Sequence, residues 1–322
     1  MNSSLSGAIL REETLSSAQS SDNAFHVAFG VDAHYIKGMG ITILSLLENN
    51  PDIRFVFHVF HSSITPADYG RLNQLVSENP TTVKLYQLNQ ETFRQLPTFA
   101  QFTSAIYNRL VVADKLKGVA TKVLYLDADI VCLGNISELF SLKMGENIVA
   151  AVQATEHAVA RQTKKLNITA NRYFNSGVIY MDIDKWHAHD ISAKALQLIV
   201  ENYATFAFPD QDALNIALNN KVLYIDPRWN YLYDLDKDAI PADTVLLHYA
   251  GRTKPWCEWY VNPMRSHFLK YYRQSPWKDV AFNQPTHYKH MKAFARVCRK
   301  NGELGKSIYW YLKYLKFRFK HK

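Results

Sequence analysis

Lys122-Val-Leu-Tyr-Leu-Asp127-Ala128-Asp129-Ile-Val131 is the stretch that decides the fold. Four of its first five residues are apolar, the composition of a buried strand, and the strand runs straight into two carboxylates separated by one small residue. Open α/β sheets place their ligands at the carboxyl ends of the strands, so a strand ending on acids is read as one that delivers a site. The two acids are the only polar groups in their apolar surroundings, where burial would leave them desolvated and mutually repelling. A hard divalent cation removes that cost. Carboxylates at this spacing suit Mg²⁺ or Mn²⁺, which in turn can neutralise a nucleotide diphosphate; a solvated turn is the plainer alternative. The spacing alone selects nothing, because Asp-x-Asp also starts at Asp182, Asp210, Asp234 and Asp236.

Outward from this strand the chain alternates short apolar runs with helical periodicity, the rhythm of an α/β sheet with crossovers. Upstream, Phe25–Phe29, Ile53–Phe60 and Val83–Leu88 read as strands. Helices are expected over Ile36–Leu47, from the Thr65-Pro66-Ala67-Asp68 start, and over Ser104–Leu116. Downstream, strands are expected at Ile148–Val152, Gly177–Met181, Val222–Ile225 and Thr244–His248, with helices over Ile191–Tyr203 and Asp210–Leu218. No internal repeat and no long Gly/Pro linker interrupts the pattern. One continuous domain is expected over 25–278, after a flexible serine-rich leader (1–24) and before a basic tail (279–322).

Of the 322 residues 48 % are hydrophobic and 20 % charged, which excludes a disordered, collagen-like or coiled-coil chain. Cys132, Cys257 and Cys298 are too few and too scattered for a disulfide framework or a Cys-x-x-Cys knuckle, and fit a reducing compartment. The net charge of +8 is concentrated at one end: from Pro285 onward eleven Lys or Arg face the single acid Glu303. A basic tail on a near-neutral body indicates one anionic partner surface, and not a nucleic-acid groove through the core. No apolar run reaches the length of a signal peptide or a membrane span, so a cytoplasmic protein is expected.

Three further segments carry chemistry. Pro209-Asp210-Gln211-Asp212 opens a helix, where one acid caps and Gln between acids could also grip sugar hydroxyls. Asn175-Ser176-Gly177 has tight-turn chemistry that can aim an amide at a ligand, or simply turn. His248-Tyr-Ala-Gly251-Arg-Thr-Lys254-Pro-Trp256 ends a strand with an imidazole, a glycine and two cations, the makings of a pyrophosphate loop with His248 as a third metal ligand. Asp182-Ile-Asp184 is read as a helix cap, Asp234 to Asp238 as a solvated loop, and the pairs His187/His189 and His287/His290 as surface. No Gly-x-Gly-x-x-Gly, phosphate-loop or zinc motif is present.

In this order and spacing, Asp127-Ala128-Asp129, Phe174-Asn175-Ser176-Gly177, Pro209-Asp210-Gln211-Asp212 and His248-Tyr-x-Gly-x-x-Lys-Pro-Trp256 resemble glycosyltransferase family 8. Within it they are most similar to the bacterial lipopolysaccharide core α-glucosyl- and α-galactosyltransferases, over about Phe25 to Lys278. The resemblance implies an α/β GT-A fold, a UDP-glucose or UDP-galactose donor, Mn²⁺ or Mg²⁺, and retention of anomeric configuration. It implies Asp127, Asp129 and His248 as metal ligands, with Ala128 beside them. Gly30, Asp32, Ala33, His34, Tyr35 and Lys37 match the uridine segment, and Arg109 a basic residue near phosphate and sugar. Asn175 and the catalytic pair Asp210 and Gln211 match the surroundings of the hexose, and Gly251 and Lys254 the pyrophosphate loop. Cys257 stands where relatives usually carry His, a departure on the acceptor side.

The implied reaction forms an α-linkage to a lipopolysaccharide outer-core sugar, with another UDP-sugar-dependent α-transferase as the alternative. Gln is a poor nucleophile, so front-face attack is expected, with Asp210 as nucleophile the runner-up. In the tail, a helical wheel from Lys306 to Lys320 puts Ile308, Tyr311, Leu312, Leu315 and Phe319 on one side and Lys306, Lys313, Lys316 and Lys320 on the other. That is an interfacial helix for an anionic membrane, which makes the expected location the cytoplasmic face of the inner membrane.

Overall fold

A computed structural model of the chain describes residues 7–17, 23–94, 107–168, 171–232 and 239–320. Its strands are β1 (Ile9–Ser16), β2 (Phe25–Val31), β3 (Phe55–His61), β4 (Thr82–Leu88), β5 (Lys122–Leu126), β6 (Ile130–Cys132), β7 (Val149–Gln153), β8 (Phe174–Asp182), β9 (Val222–Tyr224), β10 (Tyr231–Leu232) and β11 (Leu246–His248). The helices are α1 (Ile36–Asn49), α2 (Pro66–Glu78), α3 (Gln90–Arg94), α4 (Asn108–Leu116), α5 (Glu156–Leu166), α6 (Ile183–Ala188), α7 (Ile191–Asn202), α8 (Pro209–Ala217), α9 (Arg265–Gln274), α10 (Tyr288–Lys300) and α11 (Leu304–Lys320).

Eight strands form one mixed sheet in the order β1-β4-β3-β2-β5-β8-β7-β9, and β10-β11-β6 form a small second sheet. The strands β2, β3, β4 and β5 run parallel, while β8 is antiparallel to both β5 and β7. The chain builds outward from β2 to β4 and then returns to the other side of β2 with β5. The point where this order reverses lies between the carboxyl ends of β2 and β5, the place where such sheets bind ligands. Period-two alternation divides β5 between two cores: Leu124 and Leu126 pack with Val27, Phe29 and Met39, whereas Val123 and Tyr125 pack with Ala28, Leu110 and Met181.

Two readings of element ends are seen directly. The Asp68 N–H donates to Thr65 Oγ1 at 3.1 Å to start α2, and the Lys185 N–H donates to Asp182 Oδ1 at 3.0 Å to start α6. His187 is not purely surface: its Nε2 bonds the Ala113 carbonyl at 2.9 Å. His290 likewise stacks on Trp259. Asp234, Asp236, Asp238 and Ser104 lie outside the described residues.

The leader is not uniformly loose. Its residues 9–16 form β1, antiparallel to β4 at the sheet edge, while 1–6 and 18–22 lie outside the described residues. The strand gives little hydrophobic signal because only Leu15 among its side chains is buried.

Helix α1 is buried from Ile36 to Leu46 because it is covered on both sides, by the sheet and by the segment after β11. Its two glycines make this possible. A Cβ at Gly38 would stand 2.5 Å from both the Ala128 carbonyl and the Trp256 ring, and one at Gly40 2.3 Å from the Trp277 ring. Trp277 Nε1 also donates to Asp68 Oδ1 at 3.0 Å, so residues beyond 260 are clamped onto α1 and α2.

A polar row, buried at His58 and Tyr86 and half-buried at His26, crosses three strands. His26 Nδ1 on β2 lies 2.9 Å from His58 Nε2 on β3, and His58 Nδ1 lies 3.0 Å from the Tyr86 hydroxyl on β4.

Candidate active site

The Asp127-Ala128-Asp129 segment is pinned from two sides. The Asp127 N–H donates to the Gly177 carbonyl at 2.8 Å, and the Asp129 carbonyl accepts from the Tyr249 N–H at 2.9 Å. β11 therefore delivers His248 beside the acids: its Nε2 is 3.4 Å from Asp129 Oδ1 and 4.0 Å from Asp127 Oδ2. One ligand atom from each of the three residues lies within 4.8 Å of the others, the one such group among the described residues. Two carboxylate oxygens and an imidazole nitrogen on this scale fit Mn²⁺ or Mg²⁺. Gly177 is what lets them approach, since a Cβ there would be 2.3 Å from His248 Cε1 and 2.9 Å from Asp127 Oδ2.

The charge balance supports the same fit. Lys254 pairs with Asp129. Arg109, on buried α4, reaches Asp127 Oδ1 at 3.1 Å and Asp210 Oδ2 at 2.9 Å. Its Nη1 donates to the Ser176 carbonyl at 2.8 Å, and its guanidinium lies 4.8 Å from the Tyr125 ring centre. Three carboxylates against these two cations leave a net negative charge. Burial alone would raise the Asp129 carboxyl, but Lys254 and His248 hold it well below the usual range. Burial raises Asp210, against the pull of Arg109 and with a further push from Asp127.

Helix α8 presents Asp210 and Gln211 to the same place, and its other acid proves structural. Asp212 Oδ2 accepts from the N–H groups of Ala207 and Phe208 at 2.8 and 3.0 Å. Its Oδ1 accepts from the Tyr173 hydroxyl at 2.5 Å and from Gln162 Nε2 at 2.9 Å. Gln211 Nε2 donates to Tyr173 Oη at 3.0 Å, which turns its carbonyl oxygen toward the Ser176 N–H at 2.9 Å. Asn175 Nδ2 and Ser176 Oγ approach that same oxygen, each at 3.3 Å. The Asn175-Ser176-Gly177 turn signal thus belongs to the first residues of β8, where a backbone N–H meets a side chain of α8.

The segment after β2 is arranged at the edge of this group. Gly30 permits close packing, because a Cβ would meet Asn108 at 2.8 Å. Asp32 Oδ1 accepts from the His34 N–H at 2.9 Å, and Ala33 and His34 are exposed. Tyr35 stands edge-on to Trp256 at 5.6 Å, with Lys254 Nζ 5.9 Å from its ring centre. Gly251 is exposed with φ +133°, a left-handed conformation that favours glycine.

Lys37 does not join them, contrary to expectation. It lies on the face of α1 that the C-terminal segment covers, where its Nζ donates to the Ala281 carbonyl at 3.0 Å. Sequence reading missed Asn230, Tyr125 and Tyr173 as parts of the site, and it named Ser176 and Gly177 only within a turn that could aim an amide at a ligand. Asn230, in the short 3₁₀ turn Pro227–Asn230, had no signal.

Comparison with known proteins adds the following. The sequence pattern described as Glycosyl transferase family 8 matches residues 26–260, and that described as Glycosyl transferase family 8 C-terminal matches 263–317. The chain is 34 % identical over 316 residues to "Lipopolysaccharide 1,3-galactosyltransferase" of Salmonella typhimurium, covering 93 % of each chain. It is 32 % identical over 309 residues to "Lipopolysaccharide glucosyltransferase WaaO" of Escherichia coli K12, covering 92 % of this chain and 91 % of that one. The fold matches the crystal structure of galactosyltransferase LgtC in complex with donor and acceptor sugar analogs, with a TM-score of 0.68 at 22 % identity over 78 % of this chain and 96 % of that one.

Proposed function

The chain belongs to glycosyl transferase family 8, and on that premise we propose that it transfers glucose or galactose from a UDP-hexose to a sugar of the lipopolysaccharide outer core, with retention, giving an α-linkage. One observation carries the proposal. A carboxylate and imidazole group at the β2/β5 switch point is joined through Arg109 to the Asp210 and Gln211 start of α8. Full-length similarity to two relatives named for lipopolysaccharide hexosyl transfer supports the acceptor class.

Asp127, Asp129 and His248 would hold Mn²⁺ or Mg²⁺, which when bound supplies Lewis-acid stabilisation of the leaving diphosphate. The other roles fall to the protein's own groups. Asp32 to Tyr35 receive the uridine, with Gly30 leaving room for Asn108 behind them. Gly251 lets the loop backbone approach the pyrophosphate, and Lys254 gives up Asp129 to pair with the phosphate oxygens as their charge grows. Asn175, Asp210 and Gln211 surround the hexose.

Because Gln211 Oε1 already faces three donors, its lone pairs are engaged and it is poorly placed to attack carbon. Asp210 is held by Arg109. These two facts favour attack by the acceptor from the leaving-group face, with the departing phosphate taking the acceptor's proton; Asp210 as nucleophile is the runner-up. Release of UDP from UDP-glucose and UDP-galactose, assayed with Mn²⁺ and with chelator, tests the donor class. Failure of both donors at saturating Mn²⁺ would overturn it.

The finer reading of location rests on α11. One side of this helix packs on α10 through Trp310 against Phe294 and Tyr314 against Tyr288. Leu304, Ile308, Tyr311, Leu312 and Phe319 remain exposed, and Leu315 is half-buried. Such an apolar stripe on a basic helix suits the headgroup boundary of an anionic membrane, which supports a peripheral position on the cytoplasmic face. No helix among the described residues is long and apolar enough to cross a membrane.

A further inference from the structure

His248 can offer Nε2 to a cation only if its proton sits on Nδ1. The hydrogen bonds around it decide this, starting from an atom whose identity is not in question. The Gly177 backbone N–H donates to Asn175 at 3.0 Å, so the acceptor there is Oδ1. The Asn230 atom 2.9 Å from that same oxygen must then be the donor Nδ2. Asn230 Oδ1 is left facing His248 Nδ1 at 2.9 Å, which makes Nδ1 the protonated nitrogen. Asn230 is buried, and its placement is fixed by β10, which begins at the next residue and lies parallel to the β11 strand that carries His248. The other amide of the row, Asn175 Nδ2, points to Gln211 Oε1 at 3.3 Å.

We propose that Asn230 is a positioning residue with two separable duties: its Oδ1 fixes the tautomer and ring orientation of His248, and its Nδ2 holds Asn175 for the hexose side of the site. The inference deepens the cation assignment given above and rests on it. Partners that orient a metal-bound imidazole typically matter about 10–100-fold in affinity or activity. The two duties part company in the right variants. Asn230→Asp keeps an oxygen for the His248 Nδ1–H but loses the donor to Asn175, whereas Asn230→Ala loses both.

The test uses the full chain and three readouts: Mn²⁺ affinity without donor, from the electron paramagnetic resonance of free Mn²⁺; kcat for UDP-hexose turnover at saturating Mn²⁺; and ¹⁵N-imidazole spectra of the metal-free protein, with the His248 signal identified by its loss in His248→Gln. Asn230→Asp is expected to bind Mn²⁺ within about threefold of wild type while kcat falls about tenfold or more. Asn230→Ala is expected to weaken Mn²⁺ binding at least about tenfold and to convert the His248 spectrum from Nδ1–H to mixed tautomers. Asn230→Ser, which keeps a smaller oxygen, serves if the alanine variant does not fold and is expected to lie between the two. If His248→Gln loses Mn²⁺ affinity but Asn230→Ala or Asn230→Ser keeps it with an unchanged tautomer, the proposal is overturned alone. If His248→Gln also binds Mn²⁺ normally, the cation assignment falls and the proposal with it.

Discussion

At the scale of single residues, the site concentrates negative charge that its own cations only partly offset. Asp127→Asn and Asp129→Asn each remove one charged oxygen and should lose kcat by about two orders of magnitude or more; Asp129→Asn should also lower stability, because it takes the charged partner from the largely buried Lys254. Near-wild-type turnover of either variant at saturating Mn²⁺ would remove the acids from the cation site. Gly177→Ala tests the same group sterically: the added methyl would lie 2.3 Å from His248 Cε1. Mn²⁺ affinity should fall while unfolding in urea changes much less, and equal losses in both would make the glycine a core residue instead. Asp210→Asn keeps the shape at the α8 start but cancels the charge paired with Arg109, so kcat should drop far more than UDP affinity in calorimetry. Parallel losses would assign Asp210 to the nucleotide. Asp127, Asp129, Asp210, Gln211 and His248 were legible in the sequence because each sits at an element end with unusual chemistry for its place. Asn230 was not, and Ser176 and Gly177 were legible only as a turn that could aim an amide, because their roles arise where β8, β11 and the Pro227–Asn230 turn meet, segments far apart in the chain.

Among elements, the parallel strands were legible from composition, and β5 falls on Lys122–Leu126 as read. The strand β8 starts earlier than expected, at Phe174, because Asn-Ser-Gly is turn chemistry by composition and strand by pairing, with Phe174 opposite Gln153. The strands β6 and β10 have three and two residues, too few for a full period of any pattern, whereas β11 falls within the expected Thr244–His248. The row across β2, β3 and β4 predicts a pH response of the fold. Burial, then His26 and Lys84 and Lys115, lower His58 well below its ordinary value, and burial, then Lys84, lower His26. On β3, burial takes His61 down to about 4 despite the opposing charge of Glu13. These imidazoles stay neutral in the folded state and protonate more readily in the unfolded chain. Their stabilising effect is complete above about pH 6.5 and is lost as pH falls toward 4, each unit of depression being worth about 1.4 kcal/mol. His61→Leu should therefore flatten the loss of stability between those limits in a urea titration series. An unchanged slope would show that His61 is not a contributor.

For the whole molecule, the basic tail and neutral body were legible as charge, but not the packing of α11 on α10, which turns Tyr314 inward and leaves Ile308, Leu312 and Phe319 outside. Changing those three exposed residues together to Ser should leave transfer to a soluble acceptor intact and reduce co-sedimentation with anionic vesicles several-fold. Equal sedimentation of variant and wild type at low and high salt would show that another surface holds the membrane. The two family patterns meet between residues 260 and 263, which looks like a seam for exchanging parts between relatives. Trp256 and Trp277 lie on opposite sides of that seam, yet both rest on α1, over Gly38 and Gly40. A chimera joined there takes the segment that bears Trp277 from one parent and the helix that must receive it from another, so grafts should succeed only when the small residue at position 40 of α1 matches the side chain the incoming segment lays over it.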